Sequence, residues 1–70
     1  MPYKWKTKVD VDETIVVIMN VLEKNQELPN WLTMTIDGSI ADSDKELVKY
    51  FFAEIKHHVP GALKYFEMAM

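Results

Sequence analysis

Two adjacent histidines, His57 and His58, are the only imidazoles in the chain. Neighbouring residues on an α-helix point about 100° apart, so this pair cannot hold one metal ion as histidines four residues apart can. Glu54 precedes them by one helical turn, and the C-terminal end of a helix favours a protonated imidazole. The pattern predicts structural histidines at a helix end and no metal site. An enzyme that uses either histidine is the weakest functional hypothesis.

Three aspartates, Asp37, Asp42 and Asp44, lie close together in the sequence and raise the question of calcium binding. An EF-hand loop needs glycine at its sixth position, but counting from Asp37 puts Asp42 there, and counting from Asp42 puts Leu47 there. The pattern fails. We therefore predict that these acids form turns and cap helices.

Covalent catalysis and phosphate cradling have no support in the sequence. The chain has no cysteine, and neither Ser39 nor Ser43 lies in a motif typical of a serine nucleophile. With two glycines in 70 residues, there is no glycine-rich loop to hold a phosphate group. We predict no catalytic residue and no cofactor.

The first residues alternate aromatic with basic side chains, a combination that binds nucleotides or single strands through stacking and charge. The rings belong to Tyr3 and Trp5, and the amines belong to Lys4, Lys6 and Lys8. On a β-strand this alternation puts rings and amines on opposite faces, which favours a buried aromatic face and a solvated lysine face. A site for a small anionic ligand, formed by the three lysines and Trp5, is the alternative interpretation.

The C-terminal segment, residues 63–70, is rich in large apolar side chains. A polar disordered tail has a different composition. Apolar residues on both sides of so short a helix favour one side that packs on the chain's own core and another that meets a partner, and simple closure of the core is the alternative. The predicted partner or oligomer contact consists of Tyr65, Phe66, Met68, Met70 and, on the N-terminal strand, Tyr3.

The composition favours self-association. A chain of 70 residues buries about 60% of its unfolded surface and is marginally stable alone, yet 49% of its residues are hydrophobic. We therefore predict a homo-oligomer, with a dimer as the simplest solution.

Charge and hydropathy exclude some classes of partner. The net charge is −3 and every basic residue is a lysine, so sequence-specific nucleic-acid binding, which relies on the planar arginine fork, is not expected. The longest apolar run, residues 15–19, is too short to cross a bilayer. No secretory signal follows the N-terminal lysines. We predict a cytoplasmic protein without a membrane partner.

The spacing of apolar residues predicts the elements that position these side chains. Alternation over residues 3–11 predicts an edge strand. Helical spacing after an Asp12 N-cap predicts a helix over residues 13–25, although the β-branched run 15–18 also suits a buried strand. A polar, proline-containing loop is predicted at residues 25–30.

Residues 32–36 alternate again and end at Asp37-Gly38, a dipeptide favoured in two-residue hairpin turns. A short return strand through Ile40 is expected to complete this hairpin. The predicted sheet is therefore antiparallel and consists of the N-terminal strand and the hairpin.

Two further helices are predicted in the C-terminal half. Ser43 and Glu46 have the spacing of a capping box, and the apolar stripe that follows is centred on Phe51 and Ile55. A short helix follows the break at Pro60. The predicted fold class is α+β, with the small sheet covered on one face by two main helices and a short C-terminal helix.

These features predict one compact domain over residues 1–70 and a function without chemistry of its own. The preferred hypothesis is a small non-enzymatic cytoplasmic binding protein that acts through an apolar surface and self-association. It would act as an inhibitor or an adaptor of another macromolecule, as phage-type accessory proteins do. The alternative is an oligomer that sequesters a small anionic ligand, such as a nucleotide, at a subunit interface.

Overall fold

The computed structural model describes residues 4–25 and 27–66, and over these residues the fold is all-α. Helix α1 spans Lys8–Asn25, α2 spans Asn30–Asp42 and α3 spans Lys45–His58; a 3-10 helix, Pro60–Tyr65, follows. None of the described residues forms a strand. The predicted α+β fold with an antiparallel sheet is therefore wrong.

The N-terminal segment is not an edge strand but an irregular stretch that leads into α1. The Asp10 carboxylate accepts hydrogen bonds from the backbone N–H groups of Lys6 at 2.8 Å and Thr7 at 3.2 Å. The Thr7 carbonyl in turn accepts a bond from the N–H of Val11 at 3.5 Å. Since Asp10 reaches back to the residue before the helix, in the manner of a capping box, α1 begins at Lys8 and not after Asp12.

Residues 15–18, which suited either a helix or a strand, lie inside α1. Ile15 and Ile18 are buried, whereas Val16 between them is exposed. This spacing of three residues is helical, so the helix interpretation is confirmed.

The hairpin predicted over residues 32–40 is wrong because the buried residues of this segment follow a helical period. Leu32, Ile36 and Ile40 are buried at intervals of four residues, whereas Met34 is 71% exposed. The alternation of Leu32, Met34 and Ile36 therefore does not mark one buried strand face.

The turn predicted at Asp37-Gly38 is also wrong, since both residues lie inside α2. Two β-branched threonines occur in the same helix and are accommodated by local hydrogen bonds. The Thr35 hydroxyl donates to the Trp31 carbonyl at 2.7 Å, and the Thr33 hydroxyl donates to the Asn30 carbonyl at 3.0 Å.

Helix α3 contains the predicted apolar stripe. Neither Phe51 nor Ile55 is accessible to solvent, so their prediction as core residues is confirmed. The capping box predicted at Ser43 is wrong, because α3 begins at Lys45 and the Ser43 hydroxyl accepts a hydrogen bond from the backbone N–H of Trp5 at 2.9 Å.

Phe51 is the centre of an aromatic cluster formed with Trp5, Phe52 and Phe66. Trp5 stacks on Phe51 with ring centroids 4.7 Å apart, and the other two rings pack edge-on at 5.4 and 5.6 Å. The Trp5 indole N–H donates to the Thr14 hydroxyl at 3.0 Å, so the one polar atom of this ring is satisfied inside the core. The cluster joins the N-terminal segment and α3 to the residue that follows the 3-10 helix, and the bond to Thr14 connects it to α1.

Candidate functional site: the outward face of helix α2

Four uncharged residues form a stripe along the solvent side of α2. At about 100° per residue, Trp31, Met34, Gly38 and Ala41 fall within a sector of about 80° on the helix surface, opposite the side that faces the core. Trp31 is 64% exposed and Met34 is 71% exposed. We call these four residues the α2 stripe.

Helix α2 is apolar on two sides, whereas a surface helix normally carries charged residues opposite its core face. It has no basic residue, and its two acids, Asp37 and Asp42, flank the α2 stripe and do not interrupt it. Partial burial raises the pKa of Asp37 above its ordinary value. Large apolar side chains grouped on one exposed helix face are typical of an interaction surface.

Gly38 supports the same interpretation on energetic grounds. Glycine inside a helix costs roughly 0.5–1 kcal/mol relative to alanine. Apart from the backbone of its own helix and its two chain neighbours, a Cβ atom at Gly38 would meet no atom of the described residues within 4 Å. Packing within this chain therefore does not require glycine at this position. Its small size leaves a gap in the α2 stripe between Met34 and Ala41.

The predicted site formed by Trp5 and the N-terminal lysines is wrong in one respect. Lys4, Lys6 and Lys8 are exposed, as predicted. Trp5, however, is only 1% exposed and stacks inside the aromatic cluster. Its ring is therefore not accessible to a ligand.

Two of these lysines contribute to a different site, which we call the lysine groove. Lys6 and Lys8 line an open groove of about 750 Å³ together with Lys45 and Lys49 of α3. The N-terminal segment and the first residue of α1 bring the two pairs together. This arrangement depends on the fold and was not predicted from the sequence.

Tyr50 also lines the lysine groove. Its hydroxyl donates to the Asp12 carboxylate at 2.7 Å, and the Lys8 ammonium lies 5.2 Å from the centroid of its ring. The hydrogen bond to Asp12 is the main reason that the pKa of Tyr50 is raised to about 12. The same bond links α1 to α3.

We expect the Tyr50 phenol to ionise near pH 12, whereas a free tyrosine ionises near pH 10. Because the folded-state pKa is raised, the stabilising effect is complete below pH 10 and is lost as the pH rises towards 12. The difference in near-ultraviolet absorbance between the wild type and Tyr50→Phe, followed against pH, isolates this group. A difference that titrates near pH 10 would contradict the Asp12 bond.

The predicted contact residues of the C-terminal segment do not form one exposed surface within the described residues. Phe66 is fully buried in the aromatic cluster, so its prediction as a partner contact is wrong. Tyr65 is half-buried, with the Lys64 ammonium 5.3 Å from its ring centroid. Tyr3, Met68 and Met70 lie outside the described residues.

His57 and His58 are exposed at the C-terminal end of α3, as predicted. The Nε2 atom of His58 lies 2.8 Å from Glu54 Oε2, which forms an ion pair when the imidazole is protonated. In the part of the chain that the structure describes, no group of three or more histidine, aspartate or glutamate residues is placed to hold a metal ion.

The helical period of segment 30–42 indicates the α2 stripe, but the hairpin interpretation did not use this period. Plotted at 100° per residue, segment 30–42 separates Leu32, Ile36 and Ile40 from Trp31 and Met34. A strand pattern instead groups Met34 with the buried leucine and isoleucine. The helical period therefore separates an exposed face of segment 30–42 from its buried face, whereas the strand period does not.

Comparison of the chain with protein-family models, with curated proteins and with solved structures finds no significant match. Among the helices that the structure describes, none is both long and apolar enough to cross a membrane. Function is therefore inferred from the α2 stripe and the lysine groove themselves.

Proposed function

We propose that this protein is a non-enzymatic binding protein whose docking surface is the α2 stripe. The observation that carries the proposal is the joint exposure of Trp31 and Met34 on a helix whose other side is already buried. Tryptophan and methionine are enriched at the centres of protein interfaces, and charged residues are depleted there. The α2 stripe has this composition.

The same proposal includes the role of an inhibitor or adaptor in the cytoplasm, which rests on the sequence alone. A binding role needs a surface and no reactive group. Trp31 supplies a large, rigid anchor, and Met34 supplies a flexible side chain that adapts to the shape of a partner. Gly38 and Ala41 leave room for a partner to approach the helix backbone.

We expect peptides selected from a random display library on the immobilised full-length chain to bind the α2 stripe. They should be amphipathic, since an apolar helix face is the complement of this surface. Trp31→Lys should weaken their binding about 30-fold or more, because loss of a central tryptophan anchor typically costs about 2 kcal/mol or more. Fluorescence anisotropy of labelled peptides measures the change.

Val9→Lys is the matched control, since Val9 is 62% exposed but belongs to α1. Both variants should retain the circular dichroism of the wild type, because both side chains are exposed. Selected peptides that bind Trp31→Lys as tightly as the wild type would show that the α2 stripe is not the docking surface.

A second candidate function is the binding of a small phosphate-bearing anion in the lysine groove. The groove is lined by four lysines and two acids, Asp44 and Glu46, for a net charge of +2, in a chain whose net charge is −3. The rest of the chain therefore carries a net charge of −5, from four lysines and nine acids. This uneven distribution concentrates anions at the groove. The buried Trp5 cannot stack on a base, so charge is the expected basis of recognition.

For this candidate, we expect Lys45→Gln/Lys49→Gln to lose most of its affinity for inorganic triphosphate, measured by calorimetric titration. The salt dependence of the remaining binding should be shallower, because fewer ammonium groups contact phosphate. Lys24→Gln/Lys56→Gln removes the same charge away from the groove and should lose far less affinity. Equal losses in the two double variants would contradict a site in the lysine groove.

A further inference from the structure

We propose that the partner seated on the α2 stripe is a second copy of this chain, with the two α2 helices packed antiparallel about a two-fold axis. This inference rests on the proposed function, because it names the partner of the same surface. It differs from the dimer contact predicted at the C-terminal segment. The order of large and small residues along the α2 stripe supports this pairing.

The residues of the α2 stripe are separated by intervals of three, four and three, so the spacing reads the same in both directions. An axis at the level of residue 36 relates position 31 to position 41 and position 34 to position 38. Trp31 therefore faces the partner's Ala41, and Met34 faces the partner's Gly38. The same spacing forms the seam of coiled coils, where side chains of one helix fill gaps in the other.

This pairing explains the features that the single chain leaves unexplained. Each large exposed side chain meets a small residue, and the open space in front of Gly38 receives the partner's methionine. A parallel arrangement would instead place tryptophan beside tryptophan and glycine beside glycine, which leaves a gap at one level and crowding at another. Packing to normal interior density therefore favours the antiparallel arrangement.

The residues beside the α2 stripe set the strength of the contact. A two-fold axis perpendicular to the helices brings each flank against the same flank of the partner, so Asp37 lies near the partner's Asp37 and Thr35 near the partner's Thr35. The two carboxylates repel each other. The helix is also short, about 20 Å for 13 residues. We therefore infer a weak dimer with a small interface.

Sedimentation velocity of the full chain, from micromolar to millimolar concentration, tests the inference. The wild type should pass from 8.2 kDa to twice that mass. Met34→Glu should weaken association about ten-fold or more by burying a charge, and Val9→Lys should leave it unchanged. Asp37→Asn should strengthen association, because it removes the repulsion across the axis.

Gly38→Gln separates dimer packing from helix stability. Glutamine favours a helix more than glycine does, and the Cβ atom that it adds at position 38 meets no neighbouring element of the described chain within 4 Å. The melting temperature of the dilute monomer should therefore rise while association weakens. A side chain at position 38 that leaves association unchanged would contradict the pairing of Met34 with the partner's Gly38.

Thiol cross-linking tests the relative orientation of the two α2 helices. An introduced cysteine is the only thiol in each copy, because the sequence has no cysteine. In an antiparallel pair the two copies of position 35 are offset by about 3 Å along the axis, and those of position 30 by about 18 Å. A short bismaleimide should therefore cross-link Thr35→Cys faster than Asn30→Cys, because the paired thiols at position 35 lie closer together. Cross-linking of Asn30→Cys that is as fast as, or faster than, that of Thr35→Cys overturns the proposal.

A monomer at every concentration also overturns it, as does a dimer that Met34→Glu does not weaken. The proposed function has a separate outcome, since selected peptides that require Trp31 would still bind to such a monomer. Failure of the dimer and failure of the docking surface are therefore distinguishable.

Discussion

Phe51→Ala is expected to lower the free energy of unfolding by about 3–5 kcal/mol. Phe51 has no accessible surface, and its ring contacts those of Trp5, Phe52 and Phe66. Its removal leaves a cavity where α3 meets the N-terminal segment and the end of the 3-10 helix. Because a chain of this size has little stability to lose, we expect much of the variant to be unfolded at room temperature.

Urea unfolding followed by circular dichroism measures this loss. Phe52→Ala is the matched control, since it removes the same ring from the next residue, which is only half-buried. We expect it to cost much less than Phe51→Ala because less cavity is left behind. A loss below about 1 kcal/mol for Phe51→Ala would show that the aromatic cluster does not hold the fold together.

Helix α3 was predictable because its local pattern and its tertiary environment agree. Phe51 and Ile55 recur at helical spacing, and the structure buries both of them. A stripe of this kind has no competing strand interpretation, since residues two apart differ in polarity along most of it. The start of the helix was not predictable in the same way, because Ser43 bonds to Trp5, which is distant in sequence.

Helix α2 was mispredicted because two periods coincide over a short segment. Leu32 and Ile36 are four residues apart, which fits one helix face and also every second position of a strand. Met34 decides between them only once its exposure is known. The Asp37-Gly38 dipeptide favoured a turn, but no local rule prevents it from lying within a helix when tertiary packing supports the helix.

The α2 stripe and the lysine groove were not predicted from the sequence, for different reasons. The α2 stripe is local and depended only on choosing the helical period for segment 30–42. The lysine groove joins Lys6 and Lys8 to Lys45 and Lys49, which are nearly 40 residues apart in sequence, so no local pattern could indicate it. The position of Trp5 is likewise tertiary, because its burial depends on contacts with Phe51.

The two tryptophans of this chain offer a direct comparison between a core residue and a surface residue. Trp5→Ala is expected to cost about 3–5 kcal/mol, because it empties a buried site beside Phe51 and removes the indole that bonds to Thr14. Trp31→Ala truncates the same side chain at a position that is 64% exposed. It should change the stability of the dilute monomer by no more than about 0.5 kcal/mol.

The measurement is urea unfolding at low micromolar concentration and again at the highest soluble concentration. For the wild type, the midpoint should rise with concentration, since a dimer that forms only from folded chains stabilises them by mass action. Trp31→Ala should abolish that rise while keeping the dilute midpoint, because it removes an anchor of the partner surface and nothing from the core. A large loss for Trp31→Ala in dilute solution would instead mean that Trp31 packs within its own chain, and the α2 stripe would then be part of the core.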